Sequence, residues 1–128
     1  MDDINVSLLN QIKEVLIKLG ISPVLMGYNY LAHCVYICAQ DNQCVYCLVS
    51  KVYKEVAKLY NTTYQCVERN IRHSIKVFVE RRHVDALNKL MHAPLYTAHD
   101  YPSCGELIGY LAEYVRLHCD LTPESPRQ

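Results

Sequence analysis

The chain has 128 residues, with 13 basic and 13 acidic side chains and 51% hydrophobic residues. That length fits one domain with a substantial core, and the hydrophobic share excludes intrinsic disorder, which needs low hydrophobicity and a large net charge. No repeat period is present, and four glycines and five prolines are few for a sheet protein full of tight turns, so composition predicts an all-α domain.

The start, Met1-Asp2-Asp3, is acidic and no apolar signal core follows, so a cytoplasmic protein is expected. The longest stretch free of Asp, Glu, Lys and Arg runs from Leu19 to Gln40. Gly20, Ser22, Pro23, Gly27, Asn29 and His33 interrupt it, which indicates two helices joined by a loop and no membrane span. Seven cysteines in a chain read without an export signal are expected to remain reduced thiols.

Helical periodicity then organises the chain. Ile4, Leu8, Ile12, Val15, Leu16 and Leu19 form an apolar stripe with Lys13, Glu14 and Lys18 off it, which predicts an amphipathic helix over 4–19. Gly20 is placed to end it in the left-handed conformation, and Pro23 prevents its resumption. A charge-free helix rich in Tyr, Cys and Leu is predicted over 28–39 and should be the most buried. After a polar turn at 40–43, a third helix is predicted over 45–59, with Val52, Val56 and Leu59 on one face and Lys51, Lys54, Glu55 and Lys58 on the other. The fourth is expected over about 62–82, opened by a capping box Thr62-x-x-Gln65 and buried through Val67, Ile71, Ile75 and Phe78. Shorter helices are expected over 84–92 and 103–118, the latter marked by Leu107, Ile108, Leu111 and Val115. The domain thus covers 1–120, and the Pro-rich tail 121–128 is expected to fray. The tight connection between the third and fourth helices, the latter with exposed bases, is the layout of a helix-turn-helix.

Charge is unevenly distributed. From Lys51 to Met91 nine bases face four acids, a net of +5, and the remainder carries a net of −5. A duplex bears a negative charge about every 1.7 Å of axis, so this polarity turns the third and fourth helices toward it. On the fourth helix Gln65, Glu68, Arg69, Arg72 and Lys76 follow i, i+3, i+4 spacing opposite Val67, Ile71 and Ile75. Arg reaches guanine O6/N7, Glu accepts from cytosine N4 and Gln pairs with adenine N6/N7, so Gln65, Glu68, Arg69 and Arg72 are the candidate base contacts. Lys51, Lys54, Lys58, His73 and Lys76 are the candidate phosphate contacts. The pattern alone equally fits an ordinary solvated face with Glu68–Arg72 as an i, i+4 ion pair.

The run from Val52 to Thr63 (VYKEVAKLYNTT), followed by Val67-Glu68-Arg69-x-Ile71-Arg72-His73, resembles the C-terminal effector domain of the master sporulation response regulator of endospore-forming bacteria. Gly27-Tyr28-x-Tyr30-Leu31 matches a signature of that family, and Pro102-Ser103, Glu106-Leu107-Ile108 and Arg116-Leu117-His118 fit its last helix. The likeness covers about residues 5–118. It implies an all-α, six-helix DNA-binding domain of the response-regulator-effector kind, without a wing, that binds short promoter boxes singly, as a homodimer or in tandem and contacts RNA polymerase. It assigns base reading to Glu68, Arg69 and Arg72. Asn70, Ser74, Lys76 and Val79 depart from the family pattern, and Gln65 and Cys66 alter the chemistry just before its core motif. The family's phospho-receiver domain is not expected in this chain, so another input or constitutive binding is.

Cys34-x3-Cys38-x5-Cys44-x2-Cys47 is the other constellation, able in principle to ligate metal or to form a redox pair at Cys44 and Cys47. Zinc knuckles are usually separated by a dozen or more residues, and thiols one turn apart on an apolar helix pack as small hydrophobes, so no metal and no cofactor is expected. No phosphate loop, nucleophile elbow or paired-carboxylate signature occurs, and no catalytic activity is expected. The alternatives to a DNA-binding regulator are a protein–protein modulator of a full-length relative or of RNA polymerase, and a thiol or metal sensor.

Overall fold

The structure, a computed structural model, describes residues 4–121. The elements in order are α1 (Val6–Leu19), α2 (Met26–Gln40), a 3-10 turn (Asn42–Tyr46), a π turn (Leu48–Tyr53), α3 (Lys54–Leu59), α4 (Tyr64–Glu80), α5 (Val84–Met91) and α6 (Cys104–His118). No strand occurs among the described residues, so the expected all-α, six-helix fold holds. Apart from Leu121, the tail assigned to 121–128 lies outside the described residues.

α2 is the centre of the molecule, packed against α1, α4 and α6. Its lack of charge explains the position: Tyr28, Tyr30, Leu31, Cys34, Val35 and Cys38 are all buried, and a helix apolar on every side is stable only inside. His33 is buried with them, its Nδ1 2.9 Å from the Tyr60 hydroxyl and 3.1 Å from the Asn29 carbonyl. Burial holds the His33 imidazole below its usual pKa. α2 and α4 approach each other closely at Gly27. Gly27 lies against the Asn70 carbonyl and the Ser74 hydroxyl, where any Cβ would collide.

Four helices end in one motif. At α1, Ile21 N–H donates to the Leu16 carbonyl and Gly20 N–H to that of Ile17, with Gly20 left-handed at φ 100°. The same two bonds, spanning five and three residues, close α3 through Thr62 and Asn61, α4 through His83 and Arg82, and α5 through Ala93 and His92. Asn61, Arg82 and His92 have φ of 53°, 63° and 54°. This is the Schellman arrangement, which satisfies otherwise orphaned carbonyls at the helix C-terminus.

Two sequence expectations need correction. The third helix is not one α-helix over 45–59. The chain passes through the 3-10 turn and the π turn before becoming α-helical at Lys54. Cys44 and Tyr53 are both buried, yet nine residues of regular α-helix place two side chains about 180° apart. A change of winding between them brings both inward. The predicted Thr62–Gln65 capping box is also absent. Thr62 N–H is committed to the Ala57 carbonyl, so Thr63 becomes the N-cap, its hydroxyl accepting from Cys66 N–H at 3.1 Å. α4 therefore begins at Tyr64 and ends at Glu80, not at 62 and 82. The capping box the fold does contain opens α6, where Ser103 and Glu106 bond each other's backbone amides.

Candidate nucleic-acid interface

α3, the four residues Tyr60–Thr63 and α4 form the helix-turn-helix. The turn follows from the residues: Asn tolerates the left-handed conformation better than other non-glycine residues, and Thr is a favoured N-cap. α4 then docks through Val67, Ile71, Ser74, Ile75, Phe78 and Val79, all buried. That fixes which side faces out. Gln65, Arg69, Arg72, His73 and Lys76 are exposed, and Glu68 is half-buried at the edge of the same face. From Gln65 to Lys76 the ridge extends roughly 16 Å, comparable with the roughly 12 Å width of the major groove.

The lysines anticipated at the backbone occupy two different elements. Lys51 lies in the π turn and Lys54 and Lys58 in α3, all exposed. Lys54 Nζ lies 5.7 Å from the centre of the Tyr64 ring, a cation–π contact joining α3 to the first turn of α4. Nothing in the residue pattern marks that pairing. Arg72 bonds Glu68 at 3.1 Å, with the two side chains 64% and 37% exposed. Such an i, i+4 pair contributes only about 0.3–0.5 kcal/mol, so the guanidinium exchanges it for another acceptor at little cost. Among the described residues, ion pairs engage only Arg72 and Lys89 of the nine bases between Lys51 and Met91, the second through Asp85 at 3.2 Å.

Asn70 turns away from the ridge. Its Nδ2 donates to the Cys66 carbonyl at 2.8 Å and approaches Cys66 Sγ at 3.4 Å. The Cys66 thiol sits below its usual pKa, held there first by hydrogen bonding with Thr62 and further by Tyr30, Asn70 and the Arg69 charge. Beside the ridge, a shallow groove runs between Leu48, Val49 and Tyr53 on one side and Pro102 and Cys104 on the other, with Glu68 and Arg72 at its rim.

The four-thiol set is not assembled as a ligand cage. Cys34 and Cys38 are buried in α2, Cys44 is buried in the 3-10 turn and Cys47 is exposed. Burial pushes the Cys38 thiol up to about 12. Among the described residues no three His, Cys, Asp or Glu side chains gather to hold a metal ion. No helix among them is long and apolar enough to cross a membrane. Comparison with known families matches residues 12–115 to the family described as Sporulation initiation factor Spo0A C terminal.

Proposed function

The chain belongs to the Spo0A C-terminal family, a DNA-binding regulatory domain of sporulation, and from that premise we propose that it is a sequence-specific transcription regulator acting in the cytoplasm on double-stranded DNA. Gln65, Glu68, Arg69 and Arg72 read base edges in the major groove. Lys51, Lys54, Lys58, His73 and Lys76 hold the phosphates on either side. The observation that carries this reading is the disposition of α4, with an apolar face docked on the domain and the arginine-bearing ridge left open to solvent. RNA polymerase and a second copy of the chain are the further partners that the family resemblance implies.

Selection of bound duplexes from a random library tests the proposal, and one short box should be enriched. Lys58→Ala should weaken binding to all sequences alike and reduce the slope of log affinity against log salt by about one unit. Failure to enrich any sequence would favour the protein–protein modulator, for which the neutral total charge of the chain speaks.

A further inference from the structure

We propose that Cys44 and Cys47 form a redox-active dithiol that closes to an intramolecular disulfide on reaction with a small-molecule disulfide. The pair lies off the DNA-reading ridge, and its chemistry does not depend on that reading.

Backbone geometry sets the spacing of the pair. Cys47 N–H donates to the Cys44 carbonyl at 3.0 Å, closing the last turn of the 3-10 helix. Cys44 and Cys47 are residues i and i+3 of this turn, with Cys47 as its cap at φ −135° and ψ 48°. With about 2 Å of rise per residue, their Cα atoms fall near 6 Å apart, inside the span a disulfide bridges. Burial, and after it Asp41, raise the Cys44 thiol above its usual pKa.

The second observation is the division of exposure. Cys47 is open to solvent, whereas Cys44 is 6% exposed. An exposed sulfur meets the oxidant, and a buried neighbour need only reach the first sulfur. The other thiols lack this arrangement. Cys34 and Cys38 are buried without an exposed partner one turn away, and Cys66, Cys104 and Cys119 have no cysteine within one turn of chain.

The chemistry balances with glutathione disulfide as oxidant. The Cys47 thiolate attacks one sulfur of glutathione disulfide, giving a mixed disulfide and releasing one glutathione thiolate. The Cys44 sulfur then attacks Cys47 Sγ, the mixed bond breaks and a second glutathione leaves. The glutathione thiolate released in the first step takes up the proton that the Cys44 thiol gives up. The two protein thiols lose two electrons and two protons, and these appear on two glutathione thiols.

The test uses the full chain carrying Cys66→Ser, which removes the other thiol favoured for reaction. The protein is incubated with glutathione disulfide, blocked with N-ethylmaleimide under denaturing conditions and weighed intact. The expected product lacks two hydrogens and two maleimide additions and carries no glutathione. Adding Cys44→Ser should leave a mixed disulfide with one glutathione at Cys47, and adding Cys47→Ser should abolish the reaction. A parent that stops at the mixed disulfide, or that stays fully reduced, overturns the proposal. So does closure that persists in the Cys44→Ser variant. A far-UV circular dichroism spectrum identical before and after oxidation is required, since closure that occurs only with loss of helix would show that the folded turn does not form the bond.

Discussion

Replacing Gly27 with alanine is expected to lower the unfolding free energy by about 2–3 kcal/mol, the upper part of the usual range for overpacking. The methyl group would collide with the Asn70 carbonyl and the Ser74 hydroxyl. The first of these belongs to the backbone of α4 and cannot turn aside, so the two helices must separate. Urea denaturation checks this, with a lower midpoint and an unchanged slope. Gly109→Ala in α6 is the control. The nearest atom its methyl would meet is Val45 Cγ2 at 3.4 Å, an ordinary contact, and alanine is the better helix former. That variant should equal or exceed the parent in stability. If Gly27→Ala matched the parent as well, the close approach of α2 to α4 would be wrong. Because α4 carries the ridge, Gly27→Ala should also weaken duplex binding beyond what its unfolded fraction explains.

Arg69→Ala and Arg72→Ala should each cost about 1–3 kcal/mol of affinity for the selected box and relax preference at one base pair, leaving binding to unrelated duplex much less affected. The two losses differ in origin. Arg69 projects from the exposed face, so its truncation removes a contact alone. Truncating Arg72 also removes the 3.1 Å ion pair that holds Glu68, a second proposed base contact, in place. Arg72→Ala is therefore the more damaging of the two. Fluorescence anisotropy with the selected box and a scrambled one measures both effects. Retention of full affinity and preference by both single variants would remove the base-reading assignment.

The large features of this fold were legible because the residues state them strongly. The stripe from Leu8 to Leu19, the left-handed stop at Gly20 and the uncharged run of α2 each translate one physical requirement into one pattern. The candidate ridge was legible for the same reason, since Val67, Ile71 and Ile75 determine where Arg69 and Arg72 must point. Illegible features depend on partners distant in sequence. Cys44 and Tyr53 both turn inward toward the core, and the change of winding this requires leaves no local trace. The spacing Thr62-x-x-Gln65 points to Thr62 as the cap of α4. The choice fell to Thr63 because the end of α3 uses the amide of Thr62. The contact of Lys54 with Tyr64 joins two elements whose relative angle no single-helix pattern contains.

Three of the four Schellman ends place a residue with a side chain where glycine is the natural occupant. An L-residue in the left-handed conformation costs roughly 1–2 kcal/mol, part of which glycine returns through its freer unfolded chain. Arg82→Gly and His92→Gly should therefore each raise stability by about 0.5–1 kcal/mol, visible as a higher melting temperature. Both corners lie beyond the C-terminal ends of α4 and α5, away from Gln65 and Arg69, so the protein has spare resilience that can be recovered without retuning its sequence preference.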